Sequence, residues 1–156
     1  MDGQIAFMNP SGIRNDLDAG DITWGELYNI QPFGNELKKV TLTGKDIRDL
    51  LNFQWQADKT RMLQISGITY TWDASKPVGS RIVEMKLANG EAIADDKTYT
   101  VVANAFIAAG GDGFTPFKNG KDITPGPVDL DALVNYIKAS KEPVSAKVED
   151  RIKKLN

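Results

Sequence analysis

Apolar residues recur along the chain in two rhythms. The first has the period of strands. Gln4 to Asn9, QIAFMN, is short and apolar and predicts a buried strand. GITYTWD, from Gly67, sets Ile68, Tyr70 and Trp72 against Thr69 and Thr71, a strand with one face buried. ELKKVTLT, from Glu36, and the β-branched run YTVVANAF, from Tyr99 to Phe106, predict two more. RIVEMKLANGEAI, from Arg81, places Asn89-Gly90 between two apolar runs and predicts a hairpin.

The second rhythm is helical. Thr23 with Glu26 three residues on makes a capping box, which predicts a short helix through Tyr28 that ends before Pro32. Thr43 to Asp46 opens a second helix, with Ile47, Leu50 and Leu51 on one face. Leu130, Leu133, Val134 and Ile137 keep helical spacing between Asp129 and Ser140. PSGIRNDLDAGD, from Pro10, reads as a loop, and PGP at Pro125 to Pro127 as a stiff connector. The tail mixes charge with Val148, Ile152 and Leu155. No internal repeat and no long linker divides these elements. They predict one α+β domain, a mixed or antiparallel sheet core with helices packed outside.

Composition narrows the chemistry. The 156 residues suffice for one domain with a sizeable core. No apolar run is long enough to span a bilayer, and no signal-peptide pattern opens the chain, which leaves the compartment open. A net charge of -2 offers no positive field to draw in nucleic acid. The chain has no cysteine and no histidine, so disulfides, thiolate metal sites and histidine-based nucleophile triads are excluded. A metal site would need oxygen ligands alone. The candidate carboxylate clusters, Asp16/Asp18/Asp21 and Asp95/Asp96, sit in polar loops and read as solvated turns. The first lacks the glycine and closing glutamate of a calcium loop. No catalytic residue and no metal ligand are assigned.

Binding chemistry is better supplied, in three loops. NPSGIR carries Asn9 and Arg14 directly after a strand. QPFGN carries Phe33 between turn residues, with Asn35 beyond. NAFIAAGGDGF joins Phe106 to the chain's one Gly-Gly pair and to Asp112. Phe33 either stands up from its loop or tucks back on the core. Phe106 either faces a ligand or ends a buried strand. Asp112 either shapes a turn or is presented to a ligand. Aromatic rings, an amide, an arginine and a carboxylate are what a nucleoside site needs. Rings stack on a base, and a carboxylate accepts from ribose hydroxyls. The arginine fork suits phosphate.

AFMNPSGIR, GDITWGELYNIQPFGN, VTLTGKDIRDLL, LQISGITYTWD and NAFIAAGGDGF follow in this order across almost the whole chain. Together they closely resemble the C-terminal domain of the 5′-nucleotidase family. That family includes periplasmic UDP-sugar hydrolases, 2′,3′-cyclic-nucleotide phosphodiesterases and cell-surface ecto-5′-nucleotidases. The resemblance implies that residues 4–156 form the substrate-binding domain of a longer phosphoester hydrolase. Phe33 and Phe106 would sandwich the base. Asn9 would lie near the base and Arg14 near the phosphate or ribose. Asp112 would hold the ribose hydroxyls, and Asn35 matches a position that varies in the family. NPSGIR departs from the usual NGGGIR, since Pro10 and Ser11 replace two glycines and proline removes an N–H.

The same resemblance implies partners and a setting. An N-terminal metallophosphoesterase domain, absent from this chain, would carry two divalent metal ions and the catalysis. The chain itself would need no cofactor and would bind a nucleotide or nucleoside. Its setting would be extracellular, periplasmic or at the cell surface. The alternative is a stand-alone, non-catalytic nucleoside-binding or surface interaction module. A third reading is a parent enzyme for other phosphoesters.

Overall fold

Two sheets share one core in the computed structural model, which describes residues 1–156. The larger holds β1 (Ile5–Met8), β2 (Glu36–Thr43), β3 (Gln64–Ser66), β6 (Thr98–Asn104) and β7 (Lys121–Val128). The smaller holds β4 (Ile68–Trp72), β5 (Ile82–Leu87) and β8 (Ile152–Lys154). Their strand orders are β3-β1-β6-β2-β7 and β5-β4-β8. β1 runs parallel to β6 and β4 parallel to β8, and the other pairings are antiparallel. The sheets are mixed and helices pack outside them, as the α+β reading expects.

Alternation explains the larger sheet. Ile5 and Phe7 of β1, Val40 and Leu42 of β2, and Tyr99, Val101 and Ala103 of β6 all turn to one face and are buried. That face meets α2 (Gly44–Asn52), whose Ile47, Leu50 and Leu51 are completely buried. α2 starts where the sequence predicts, and a capping box forms at that start. The Thr43 hydroxyl accepts from the Asp46 N–H at 3.1 Å, and the Asp46 carboxylate accepts from the Thr43 N–H at 3.0 Å. α1 (Trp24–Ile30) starts the same way at Thr23 and Glu26. The smaller sheet is tied to the region after α2 by a tilted pair of rings. Trp55 and Trp72 lie 4.7 Å apart, with Arg81 over the first and Lys154 over the second.

Three elements differ from the sequence reading. PGP is no connector: Pro125 to Pro127 lie within β7, with Pro125 opposite Lys38. β7 is a sheet edge, where a missing N–H breaks no ladder bond on the open side. Asn89-Gly90 does turn the chain, with Gly90 donating to the Leu87 carbonyl at 2.9 Å. The returning arm, however, forms a bridge between Lys86 and Ala92 on the open side of β5 instead of a full strand, with the Ile93 N–H donating to the Met85 carbonyl at 3.0 Å. The strand predicted to run to Phe106 ends at Asn104. There the side chain of Asn104 caps a new short helix, α3 (Ala105–Ala108). α4 (Asp129–Ala139) closes the set.

Candidate functional site

Each candidate loop leaves the larger sheet at the same end. Asn9 follows β1, Asn35 precedes β2, and Asn104 ends β6, whose ladder sets it opposite Leu37 of β2. Because β1 and β6 are parallel neighbours, their C-terminal ends place Asn9 and Asn104 side by side. The Asn104 amide donates to Asn9 Oδ1 at 2.8 Å. Chain positions 95 residues apart are thereby joined.

The cleft at this end has a volume of about 230 Å³. Asn9, Arg14, Phe33, Asn35 and Phe106 line it together with Ser11 and Gly12. Five of the six residues named from the sequence thus share one concavity. Phe33 is 56% exposed and Phe106 46% exposed, so neither is a core residue. Burial falls instead to Phe114 and Phe117, which anchor the following loop in the core. Phe33 is lifted by the turn after α1, where Gly34 takes a φ of +61°. Phe106 stands on α3, because that helix buries Ile107 and turns its neighbour outward.

Arg14 reaches the cleft from a loop pinned to α1, its backbone N–H donating to the Ile30 carbonyl at 2.9 Å. Its guanidinium lies 5.7 Å from the centre of the Phe33 ring, within cation–π range. It also donates to the Ser11 carbonyl at 3.3 Å. Asn35 holds α4 in place, its carbonyl accepting from the Asp129 N–H at 2.8 Å.

Asp112, the sixth residue, stands behind Ser11 rather than on the cleft wall. Its Oδ2 accepts from the Ser11 hydroxyl at 2.8 Å and from the Asn9 amide at 3.2 Å. Asp112 has a φ of +54°, in the left-handed region that suits glycine, asparagine and aspartate. Gly110 and Gly113 flank it with φ of +91° and +83°. The loop is therefore a tight turn, and it also delivers a carboxylate to the Asn9 network.

Asn9 is only 3% exposed, and both ends of its amide are engaged within the protein. It borders the cleft while serving the network behind it. Sequence reasoning missed Ser11, Asn104 and Gln56, whose amide donates to the Asp112 carbonyl at 2.8 Å. Asn104 had a signal, an asparagine just before a helical turn, but the β-branched run before it hid the cap. Ser11 and Gln56 had none, since only folding brings them to Asp112.

The carboxylate clusters stay apart from this site. Asp95 pairs with Arg48 at 2.9 Å, and no group of three or more acidic residues gathers to hold a cation. A larger groove of about 610 Å³, with Trp55 and Asp58 on its wall, lies across the Asp112 turn at Gly113. It contains none of the six residues.

Comparison with known proteins gives a consistent result. The family model described as the 5′-nucleotidase C-terminal domain matches residues 1–119. Endonuclease YhcR of Bacillus subtilis is 46% identical over 98% of this chain. A cell wall protein of Listeria monocytogenes is 37% identical over 90% of it. The chain spans only 12% and 19% of these two relatives. The crystal structure of a 5′-nucleotidase precursor from Thermus thermophilus superposes with a TM-score of 0.88 and 40% identity, covering 99% of this chain and 32% of its own. No helix here is long and apolar enough to cross a membrane. The chain belongs to the 5′-nucleotidase C-terminal domain family.

Proposed function

We propose that the cleft binds the nucleoside part of a nucleotide for a longer phosphoester hydrolase. One observation carries this reading: two half-exposed phenylalanine rings, an arginine and two asparagines line a single small cleft, with a carboxylate one hydrogen bond behind it. The base stacks between Phe33 and Phe106, which together give its two faces apolar cover. Arg14 already rests on the Phe33 ring, so a phosphate bound by its fork is held close to the stacked base. Ribose hydroxyls approach Ser11 and, beside it, the Asp112 carboxylate, whose Oδ2 the Ser11 hydroxyl already engages.

Hydrolysis itself is assigned to a metallophosphoesterase domain elsewhere in the longer protein, with two divalent metal ions. Such a protein works outside the cytoplasm, a setting supported by the cell-wall relative. The test is a calorimetric titration of this chain with adenosine, AMP, UDP-glucose and inorganic phosphate. Binding of the first three, lost in Phe33→Ala and Phe106→Ala, supports the reading. Binding of phosphate alone, or of none, removes it.

A second reading has one observation in its favour. Trp24 and Tyr28 stack at 5.2 Å on the outer face of α1, with Trp24 60% exposed and outside the cleft. A surface interaction module would use such a pair. Loss of partner capture in Trp24→Ala with nucleoside affinity intact would favour that role.

A further inference from the structure

We propose that Asn104 is a positioning residue for the sugar end of the cleft. It decides which way the Asn9 amide points, and so how the Asp112 carboxylate is held. The inference rests on the nucleoside reading of the cleft given above.

The argument is one of donors and acceptors. The Ile107 backbone N–H can only donate, so the Asn104 atom facing it, at 3.0 Å, is the oxygen. The other end of that amide is then the NH₂, which can only donate. Its partner on Asn9, at 2.8 Å, must be Oδ1. Asn9 is thereby forced to turn its own NH₂ the other way, to Ser11 Oγ at 2.7 Å and Asp112 Oδ2 at 3.2 Å. Ser11 accepts from Asn9, so its hydroxyl hydrogen goes to Asp112 Oδ2 at 2.8 Å. One helix cap thus sets every hydrogen in a chain of four side chains.

Two consequences follow for the carboxylate. Oδ2 receives both donors, while Oδ1 takes no hydrogen bond from the protein and is not enclosed. Oδ1 is the acceptor left for a ligand hydroxyl. The backbone of Asp112 is held from the opposite side by Gln56, whose own amide oxygen accepts from Arg61. Arg61 is fixed in turn by a two-pronged pair with Asp58 at 2.9 Å. The carboxylate therefore has one orientation, and Asn104 supplies the polarity of the relay that fixes it. Asn104 touches no ligand, being 1% exposed and absent from the cleft wall.

The variant that isolates this role is Asn104→Asp. Aspartate still caps α3 but replaces the NH₂ with an acceptor. Asn9 must then rotate its amide and turn its oxygen to Asp112, which repels the carboxylate. Affinity for adenosine and 2′-deoxyadenosine is measured by titration, and the Asn9 side-chain NH₂ signals are followed by ¹⁵N-resolved NMR without ligand. The expected result is a loss of adenosine affinity of about tenfold or more, a fall of the adenosine to 2′-deoxyadenosine ratio toward one, and displaced Asn9 signals.

Equal weakening of both nucleosides with the ratio kept would make Asn104 merely structural and overturn the proposal. Unmoved Asn9 signals would do the same. If the wild type binds neither nucleoside, the cleft reading fails, yet the Asn9 signals still decide the relay. If Asn104→Asp does not fold, the wild type decides alone: slowly exchanging Asn9 NH₂ protons uphold the relay, and exchange at the rate of a solvated amide removes it.

Discussion

The Phe106 ring lies directly against the backbone of Gly111. A Cβ added at Gly111 would fall 2.7 Å from the ring's Cζ and 2.6 Å from the Phe106 carbonyl oxygen. The turn that carries Asp112 is thus also the backing of an aromatic wall of the cleft. Gly111→Ala is expected to push the ring toward the cleft and to lower stability by about 1–3 kcal/mol, the usual cost of overpacking. Nucleoside affinity should fall with it. A melt and a titration on the same preparation check both effects, and an unshifted affinity would separate the wall from the site.

Phe33→Ala and Phe106→Ala are expected to change stability by no more than about 1 kcal/mol, since half-exposed rings bury little in the free protein. Each should cost about 1–3 kcal/mol of nucleoside binding through lost stacking. Phe114→Ala is the control. Phe114 is fully buried, so its truncation should cost about 3–5 kcal/mol of stability. Chemical denaturation of the three variants side by side tests the ordering.

Asp112→Asn keeps a residue that tolerates a φ of +54°, so the melting temperature should stay nearly constant. Affinity for adenosine should fall about tenfold, because the amide loses the charge that strengthens each ribose hydrogen bond. Asp112→Ala should lose stability as well, by about 1–2 kcal/mol, because alanine offers no acceptor to the Ser11 hydroxyl and the Asn9 amide and lacks the short polar side chain that suits the left-handed region. Equal affinities of wild type and Asp112→Asn for adenosine and 2′-deoxyadenosine would leave Asp112 as a turn residue alone.

Two aspartates should give opposite pH dependences. Burial pushes the Asp129 carboxyl above its ordinary value of 3.8, although the Leu130 N–H works against that rise. The folded state therefore holds this proton more tightly, and its contribution to stability falls as pH rises from about 3.8 through the raised value. Burial also opposes ionisation of Asp46, but hydrogen bonds from the Thr43 hydroxyl, Asn119 and the Thr43 backbone outweigh it and hold the pKa below 3.8. Its stabilisation is present above 3.8 and is lost as pH falls through the lowered value. Asp129→Asn should gain on wild type above that window, and Asp46→Asn should lose on it. Denaturation midpoints across pH 2 to 7 (about five points) decide both signs.

This chain by itself should hydrolyse no phosphoester at an enzyme-like rate, even with Mn²⁺ or Zn²⁺ supplied. Without histidine it lacks the usual ligands of a two-metal centre. A preparation cleared of contaminating phosphatase should release no phosphate from AMP or UDP-glucose above the buffer rate.

What the sequence determined by itself was local or periodic. The alternation in β4 named its buried face, and apolar and β-branched runs marked β1 and β6 as strands. A capping box at Thr23 and a one-sided apolar stripe after Thr43 placed the starts of α1 and α2 within a residue. Such signals act between neighbours on one strand or one helical turn, so no distant contact is needed to read them. The order of five motifs carried the family resemblance, and with it the six candidate residues, five of which line one cleft. The tertiary structure decided what depends on pairing. It made PGP an edge strand, because β2 had an open side for it. It ended β6 at Asn104, where the side chain turned to cap α3 instead of extending the ladder. It also settled which phenylalanines the core would take, burying Phe114 and Phe117 and leaving Phe33 and Phe106 in the open. The hydrogen-bonded chain from Asn104 through Asn9 and Ser11 to Asp112 exists only because β1 and β6 lie parallel and adjacent. Hydrogen bonds are directional and short, and no spacing along the chain encodes which distant donor will meet which acceptor.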